Sequence, residues 1–449
     1  MEADASLLTT AEEAVKVGES LGASEVEAYV TAIDEKSIVL RNTIETFYTI
    51  RTNGLGIRVV IGKKNGFFAT SSLSIEDVKR AVKAAFGIAK LNEPDDHWRS
   101  LPKKTGTADV KATFDREIEE IEPSALVHGA TQMMRSVNHD DRLSITRAEV
   151  SALRVETAIV NSYNCDMRRE ETFASARISV KAEEDGLKGF SSESQQTRSW
   201  EDLDCLSIAE MAAERALQVR RAKPIASGVM PVVWHNKLFA SVIGLMFRRT
   251  LSAESVQKRR SPWIGKIGQR IASENFSLVD NGLLSGGIGT RKFDDDGIPQ
   301  QKVILVENGV LQNFLYDSYT AQKEARESTG NAHRSYDDLP TPRPNNLILL
   351  PERAKREELF QGVKRGLYLV ETIGLWLSNP ISGDMSATAT NAFLIKDGAL
   401  NRPVKGVIVS GNFFEIMDRK IARISNDTQN RGSLYSPSVK VSEMTVTGQ

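Results

Sequence analysis

The chain has 449 residues, which exceeds a single average core and predicts two domains. Its formal net charge of −1 gives no bulk attraction to nucleic acid or to an anionic membrane. The two cysteines, Cys165 and Cys205, provide no disulfide framework and are typical of a reducing compartment. The first residues lack a basic segment followed by an apolar one, and the longest apolar run, at residues 238–247, is about half of a membrane span. We therefore expect a soluble cytoplasmic protein without a signal peptide.

The beginning of the chain predicts a helix, an antiparallel meander and a second helix. Residues 10–13 have the spacing of a capping box, and apolar residues at helical spacing follow until Gly22. The second helix is expected from Ser74, because apolar residues then recur on one face. Between the two helices, turns at Asn53-Gly54 and Asn65-Gly66 separate runs rich in β-branched residues. These strand candidates are residues 27–33, 37–40, 45–51, 56–61 and 66–70.

A similar order of elements follows a polar loop at residues 93–116. It consists of a helix at 123–136, strand candidates at 143–148, 153–161, 171–182 and 186–194, and a helix at 207–220. The string that starts at Gly66 before one helix resembles the string that starts at Gly189 before the other. Residues 1–222 therefore predict an N-terminal α+β domain of antiparallel meander sheets and helices. Internal duplication is one interpretation; the alternative is that such meanders are common.

The rest of the chain predicts mostly β-structure. Residues 223–228 indicate a hinge, and residues 223–449 form the expected C-terminal domain. A strand at 231–234 precedes an apolar helix, a basic helix is expected at 253–260, and one more helix at 354–362. From residue 276 onward, short strands alternate with glycine-containing turns, which predicts a closed barrel or a sandwich-like sheet. The predicted fold class is thus α+β with two domains.

The five histidines do not form a recognisable metal site. No two of them lie three to five residues apart, so no helix presents paired imidazoles to a metal ion. No cysteine follows Cys205, which excludes a thiolate ligand in the C-terminal half. A metal site that combines His235 or His333 with carboxylates from elsewhere in the chain is one possibility. The simpler interpretation is that each histidine lies in a turn or at the surface.

Other patterns that can carry chemistry are incomplete. Residues 293–299 contain three consecutive aspartates before a glycine, which favours an acidic β-turn over a calcium loop because the alternating acidic positions and the distal glutamate are missing. Residues 282–289 are rich in glycine but lack the Lys-Ser/Thr pair of a phosphate loop, and no Gly-x-Ser-x-Gly elbow is present. The basic residues between 248 and 270 predict a solvated or interface-facing surface, with phosphate contact as the alternative.

Several short strings, in consistent order along nearly the whole chain, resemble the TldD/PmbA family. Members of this family form a two-subunit intracellular metallopeptidase and were once described as modulators of DNA gyrase. The strings lie at residues 54–58, 66–70, 231–233, 265–268, 293–299, 328–334, 383–386, 411–412 and 436–448. Each string alone has low specificity, whereas the ordered set is specific.

The zinc-bearing TldD branch of this family has a His-Glu-x-x-x-His helix after its Pro-Val-Val strand and a cysteine near its C-terminus. Alignment on the strings at 231–233 and 265–268 places the helix positions at Gly244, Leu245 and Arg249. None of these side chains can be a zinc ligand or a general base, and Arg249 would place a positive charge where a dication should lie. The cysteine has no counterpart either. The chain therefore resembles the PmbA (TldE) branch, which implies no catalytic residue and no metal ligand in this chain.

That resemblance implies a partner subunit. The chain is expected to pair with a zinc-bearing TldD-like subunit that degrades unfolded peptides or peptide precursors, with zinc on the other chain and a homodimer as an alternative assembly. No membrane or nucleic-acid partner is expected. The alternative functions are a stand-alone metallopeptidase with an unrecognised site and a non-catalytic interaction module for DNA or a topoisomerase.

Four residues are candidates for a peptide groove or a subunit interface: Thr329, Gly330, Asn331 and Arg334. Glycine allows close backbone approach, the Thr and Asn side chains can pair with peptide amides, and the arginine can hold a carboxylate. The alternative is a tight polar turn that only stabilises the fold.

Overall fold

The first half of the molecule consists of long antiparallel strands and helices, in a computed structural model that describes residues 6–448. The helices are α1 (Leu7–Ser20), α2 (Ile75–Leu91), α3 (Arg116–Glu119), α4 (Pro123–Asn138) and α5 (Cys205–Val219). The strands are β1 (Glu25–Leu40), β2 (Ile44–Ile61), β3 (Lys64–Thr70), β4 (Leu143–Asn161), β5 (Cys165–Glu184) and β6 (Leu187–Thr197). They form one sheet of order β3-β2-β1-β4-β5-β6, and every pairing is antiparallel.

Several runs that the sequence predicts as separate strands are continuous. β1 contains both 27–33 and 37–40, and β4 contains both 143–148 and 153–161. The predicted turn at Asn53-Gly54 is wrong, because both residues lie inside β2. Gly54 serves close packing there: a Cβ would lie 2.1 Å from ring atoms of Tyr336.

Local capping explains where the first helices begin. α1 starts one turn earlier than the predicted capping box, because the Ser6 hydroxyl accepts the N–H of Thr9 at 3.2 Å. Thr10 therefore lies inside the helix and donates to the carbonyl of Ser6. α2 begins as predicted, with the Ser74 hydroxyl accepting the N–H of Asp77 at 3.2 Å.

The helices pack on the sheet in two groups. α1 and α2 cover β1 and β2 through a cluster that includes Ala14, Val26 and Val82. α4 and α5 cover β4 and β5 through a cluster that includes Leu126 and Val150. Alternate residues along each strand belong to these clusters, as expected for a sheet with one covered face.

The two glycines of the repeated string make equivalent contacts. A Cβ at Gly66 in β3 would lie 2.1 Å from the carbonyl oxygen of Ala85 in α2. A Cβ at Gly189 in β6 would lie 2.1 Å from the carbonyl oxygen of Ala216 in α5. Both positions thus require glycine for the close approach of a helix to an outer strand. The duplication itself and the domain boundary after residue 222 stay predictions.

The second half contains shorter elements. Its strands are β7 (Gly228–Trp234), β8 (Leu278–Asn281), β9 (Lys302–Glu307), β10 (Val310–Leu311), β11 (Ala332–His333), β12 (Thr341–Pro342), β13 (Leu347–Leu349), β14 (Arg365–Ile373), β15 (Asp384–Lys396), β16 (Ala399–Val404), β17 (Ile408–Asn412), β18 (Ile421–Ile424), β19 (Gln429–Arg431), β20 (Leu434–Ser436) and β21 (Val439–Thr447). Its helices are α6 (Asn236–Phe247), α7 (Ala253–Gln257), α8 (Ser318–Lys323) and α9 (Phe413–Glu415), with 3-10 turns at Arg356–Leu359 and Leu375–Leu377 and a π-helical turn at Ile416–Lys420.

Five strands of the second half close into a barrel, so the barrel alternative of the predicted fold is confirmed along with the α+β class. The ring runs β14-β7-β21-β17-β15 and closes by pairing β14 with β15. β7 and β14 are parallel, and the other pairings in the ring are antiparallel. The predicted basic helix at 253–260 is shorter than expected, because α7 ends before Arg259, which has a φ of 55°.

A second sheet supports the helix that follows β7. Its order is β10-β9-β8-β13-β20-β19, and α6 packs against β19 and β20. Trp234, Phe239 and Phe247 lie in the large buried cluster between these layers. In residues 6–448, no helix is both long and apolar enough to cross a membrane.

Candidate functional site

Of the three positions that the resemblance aligns with metal ligands and a base, Gly244 and Leu245 lie in α6, and Arg249 lies two residues beyond its end. Gly244 is buried, and a Cβ there would lie 2.4 Å from Cδ1 of Leu434 in β20. Leu245 is half-buried and packs against the main core of the second half. Arg249 is exposed. These positions thus offer packing surface and a guanidinium, neither of which ligates a metal ion.

Basic side chains gather at the C-terminal end of α6. Arg248 follows the last helical residue, and burial together with the charges of Arg343 and Arg249 lowers its pKa. Guanidinium groups within electrostatic reach of one another repel a divalent cation and attract an anion. This end of α6 therefore favours a carboxylate over a metal ion.

A cleft of about 770 Å³ opens at the N-terminal end of α6, and we call it the polar cleft. One wall is formed by β5 and β6, and the other by the start of α6, by β14 and by β19 with the turn after it. β6 and β19 are the edge strands of their sheets, so the polar cleft lies between two sheet edges. Its lining includes Glu193, Arg215, His235, Lys237, Leu238, Glu371, Trp376, Asn430 and Arg431.

Side chains cover main-chain groups of β6 in the polar cleft. The N–H of Ser192 donates to the Glu371 carboxylate at 3.2 Å, and the carbonyl of Ser194 accepts from Nζ of Lys237 at 3.0 Å. Charged side chains in such positions protect a sheet edge from pairing with a wrong strand. An extended peptide that pairs with β6 must displace these bonds.

Glu193 is the charged centre of the polar cleft. Its carboxylate lies 2.5 Å from Nζ of Lys237 and 2.7 Å from Nη1 of Arg215. Burial alone would raise the pKa of Glu193, but the two cations outweigh burial and the pKa is lowered. Glu193 therefore stays ionised and holds the two basic side chains in place.

Burial shifts the pKa values of Glu371 and His235, two other groups of the polar cleft, in the directions that disfavour their charged forms. Burial raises the pKa of Glu371 despite hydrogen bonds from the Ser192 main chain and the Ser191 hydroxyl. Burial, assisted by the charge of Arg215, lowers the pKa of His235 to about 4. Across the described residues, no group of three or more His, Cys, Asp or Glu side chains is arranged to hold a metal ion.

Three of the predicted groove residues make internal contacts. The Thr329 hydroxyl accepts the N–H of Tyr316 at 2.8 Å. Gly330 has a φ of 70° and leaves no room for a Cβ. Asn331 is fully buried, and its amide donates to Oδ2 of Asp280 at 2.6 Å. Burial raises the pKa of Asp280 to about 7.

Arg334, the fourth predicted groove residue, connects the two halves of the molecule. Its side chain is 1% exposed, and Nη1 donates to Oε1 of Glu27 in β1 at 2.8 Å. The guanidinium also lies 4.3 Å from the ring centroid of Tyr29, and Glu27 accepts a second bond from Arg58. A groove or interface role for the four residues stays a prediction; their observed contacts are those of the alternative, a polar turn that stabilises the fold.

The acidic turn also lies between the two halves. The predicted turn is confirmed, with the N–H of Gly297 donating to the carbonyl of Asp294 at 3.0 Å. The aspartates are buried rather than displayed at an exposed tip. The Asp295 carboxylate contacts Arg169 at 2.5 Å and Arg291 at 3.0 Å. Burial would raise the pKa of Asp295, but these two cations hold it well below its usual range. The turn therefore acts as an ionic connector.

Sequence reasoning missed the polar cleft. Its central groups, Glu193, Arg215, Lys237 and Glu371, come from four separate elements and belong to no local motif. The nearest local indication was the polar start of the apolar helix at His235.

Three family models match successive parts of the chain. They are described as PmbA/TldA metallopeptidase domain 1, at residues 26–89, the central domain, at 112–219, and the C-terminal domain, at 227–448. The long antiparallel sheet joined to a closed barrel is thus a metallopeptidase-related architecture. The chain belongs to the PmbA/TldD metallopeptidase family.

Relatives with either branch name resemble this chain. An uncharacterised protein of Methanocaldococcus jannaschii is 29% identical over 95% of this chain and 97% of its own length. The metalloprotease TldD homologue of Buchnera aphidicola is 28% identical over 83% of this chain and 79% of its own length. The metalloprotease PmbA homologue of Haemophilus influenzae is 25% identical over 97% of this chain and 94% of its own length. Assignment to a branch therefore depends on the residues of α6.

A solved structure has the same fold. TldE from Thermococcus kodakarensis superimposes with a TM-score of 0.90 at 24% identity, over 98% of this chain and 100% of that chain. The architecture described above is therefore that of a known fold.

Proposed function

We propose that this chain is the non-zinc subunit, of the PmbA/TldE type, of a cytoplasmic metallopeptidase complex whose other subunit is a zinc-bearing TldD-like chain. In this complex, which cleaves unfolded peptides or peptide precursors, the chain contributes part of the peptide groove and the subunit interface. One observation carries the proposal: Gly244, Leu245 and Arg249 stand where the resemblance aligns the zinc ligands and the base, while the C-terminal family model matches the chain around them.

The surroundings of α6 support this assignment. The space beside Gly244 is filled by Leu434, and the positive charges of Arg248, Arg249 and Arg343 oppose binding of a dication. The polar cleft has a sheet edge on each side, and an extended peptide that displaces the side chains covering β6 gains main-chain bonds there. The basic end of α6 suits the carboxylate of a peptide or of a partner chain.

The test compares this chain, its zinc-bearing TldD-like relative from the same organism, and an equimolar mixture. Each sample is assayed for cleavage of an unfolded peptide and for bound zinc. We expect cleavage only in the mixture, zinc only on the relative, and a one-to-one complex by light scattering. Replacing the motif glutamate of the relative by glutamine is the matched control, and it should abolish cleavage without preventing assembly.

Two other outcomes contradict the proposal. Stoichiometric zinc in this chain alone, with peptide cleavage that is lost on chelation, indicates a stand-alone peptidase. Failure to associate with the relative, combined with binding of duplex DNA at low salt, indicates an interaction module.

Restoring the missing motif tests the same assignment. The variant Gly244→His, Leu245→Glu and Arg249→His should show no zinc-dependent cleavage, because the thiolate ligand is still absent and an imidazole introduced in place of Gly244 collides with Leu434. Metal analysis and peptide assays on the purified variant check this expectation. Zinc-dependent turnover by the triple variant alone contradicts the proposed role.

A further inference from the structure

One corner of the polar cleft is apolar, and we call it the apolar corner. It is formed by Ile373, the last residue of β14, and by Trp376 in the 3-10 turn that follows. The two residues are 52% and 66% exposed. Within residues 6–448, no aromatic ring or cation lies over the Trp376 indole, and its Nε1 donates to no acceptor. An apolar surface left bare inside a cleft marks a binding site, and tryptophan is enriched where binding energy is concentrated.

The main chain holds Trp376 in place. Gly374 has a φ of 85°, a left-handed conformation that favours glycine, so the chain turns directly after β14. The N–H of Ser378 donates to the carbonyl of Leu375 at 3.1 Å, and the Ser378 hydroxyl accepts the N–H of Ser386 in β15 at 3.2 Å. Leu375 itself is buried. The indole is therefore presented from a fixed turn, and little ordering of the protein opposes the binding of a ligand there.

Cations outnumber carboxylates in the lining of the polar cleft. The cations are Arg177, Arg215, Lys237 and Arg431, and the carboxylates are Glu193 and Glu371. Glu193 contacts two of the cations, and Glu149, outside the lining, contacts Arg177. Arg431 is exposed, and within residues 6–448 its guanidinium has neither an ion pair nor a hydrogen bond. A guanidinium without a carboxylate, in a cleft with an excess of positive charge, favours an acidic ligand.

We propose that the polar cleft binds an extended peptide through two of its side chains, a large apolar one at the apolar corner and a carboxylate at Arg431. The cleft volume of about 770 Å³ suits a short peptide segment. Residues i and i+2 of an extended segment point to the same side, so one segment can present both side chains to Trp376 and Arg431. This inference rests on the proposed function, because that function supplies a peptide as the ligand.

Recognition by these two contacts defines a class of substrate. Large apolar side chains are mostly buried in folded proteins, so a site that needs one beside a carboxylate selects acidic segments of unfolded chains. The carboxylate contact is made at an exposed guanidinium and should weaken as the ionic strength rises, whereas the apolar contact should not. Neither contact involves a metal ion, so this chain should bind such peptides without its partner.

The first test measures peptide binding to the full chain by isothermal titration calorimetry. The reference peptide consists of glycine and serine, is blocked at both ends, and carries one phenylalanine with an aspartate two residues away on each side. Replacing the phenylalanine by alanine should weaken binding about tenfold, and replacing both aspartates by asparagine about fivefold. Lysines in place of the aspartates should weaken it further. Equal affinities across the series, tightest binding of the lysine peptide, or no binding by any peptide overturns the proposal.

Substitutions in the cleft test the two contacts one at a time. Trp376→Ala should weaken binding of the reference peptide about tenfold and leave the alanine peptide unchanged, while Trp376→Phe should stay within about threefold of the native chain. Leu377→Ala is the matched control, because Leu377 is 80% exposed but lies outside the lining. Arg431→Glu should reverse the preference between the aspartate and lysine peptides, whereas Arg419→Glu, at a side chain that is 84% exposed elsewhere, should not. Equal effects of a variant and its control overturn the assignment of that contact.

Assays with the zinc-bearing relative separate this inference from the proposed function. Cleavage by the mixture without the expected peptide preference overturns the inference and leaves the proposed function intact. The expected preference in this chain, without cleavage by the mixture, supports the inference and contradicts the proposed function. If Trp376→Ala prevents the one-to-one complex but leaves peptide affinity unchanged, the apolar corner is a subunit contact and the inference is overturned.

Discussion

Replacement of Arg334 by alanine distinguishes a stabilising role of this residue from a role in a peptide groove. In the structure the guanidinium is 1% exposed, donates to Glu27 at 2.8 Å and stacks on Tyr29. The Glu27 carboxylate is also buried. Burial would raise its pKa, but the charges of Arg334 and Arg58 outweigh that effect and lower the pKa. Arg334→Ala thus leaves a buried carboxylate with one of its two cations.

The expected cost follows from the burial of that pair. Removing one partner of a buried ion pair destabilises a protein by about 3–5 kcal/mol, because the remaining charge loses its compensation. The remaining bond of Glu27 to Arg58 at 2.9 Å places the expectation at the lower end of this range. The lost contact with the Tyr29 ring adds to the cost.

Urea unfolding at pH 7, followed by circular dichroism, measures this loss. Arg326→Ala is the matched control, because the guanidinium of Arg326 is 54% exposed and lies as far as 3.8 Å from the Glu324 carboxylate. Its free energy of unfolding should change by no more than about 0.5 kcal/mol. An Arg334→Ala variant within about 1 kcal/mol of the native chain refutes the reasoning. If that variant also fails to assemble with the zinc-bearing relative, the interface role is supported instead.

Two further predictions concern a close contact and a buried imidazole. Gly66→Ala should lower the free energy of unfolding by about 1–3 kcal/mol, because its Cβ would lie 2.1 Å from the carbonyl oxygen of Ala85. Gly87→Ala is the control: its Cβ would point into open space beside α2, so the substitution should raise the free energy of unfolding by about 0.5–1 kcal/mol. Urea titrations that give both variants the same stability contradict the close contact at Gly66. Burial lowers the pKa of His235 to about 4 in the folded protein, whereas an imidazole in the unfolded chain has a pKa near 6.5. As the pH decreases, the unfolded chain therefore binds the proton first, and the free energy of unfolding falls between about pH 6.5 and pH 4. His235→Gln should remove a slope of up to about 1.4 kcal/mol per pH unit, and equal slopes in the two proteins would show that the imidazole is not kept neutral.

Short-range patterns predicted the elements of this fold because their causes are local. The cap at Ser74 and the alternation along the strands involve neighbouring residues, and both appear in the structure. The failure at Asn53-Gly54 has a tertiary cause, since the glycine that resembles a turn residue instead makes room for the Tyr336 ring. Short strands separated by turns indicated a closed or sandwiched sheet, but its closure through β14 and β15 required long-range pairing.

For the candidate site, the family resemblance predicted single positions, and their role stays a prediction. Gly244, Leu245 and Arg249 could be located by alignment of flanking strings, whereas the polar cleft could not. The sequence predicted Arg334 as a groove or interface residue that can hold a carboxylate, and in the structure it contacts the carboxylate of Glu27, 307 residues away in the chain. No local pattern contains such a pair, so the sequence indicated a carboxylate partner without showing that it belongs to the same molecule.

The position of β21 in the barrel sets an order of events during synthesis. β21 lies between β7 and β17 and also pairs with β18, so the ring stays open until residues 439–447 have left the ribosome. All strand pairings of the first sheet lie within β1–β6, so these strands can pair before the barrel closes. A nascent chain that has paired these strands but lacks β21 therefore exposes the apolar residues that line the closed barrel.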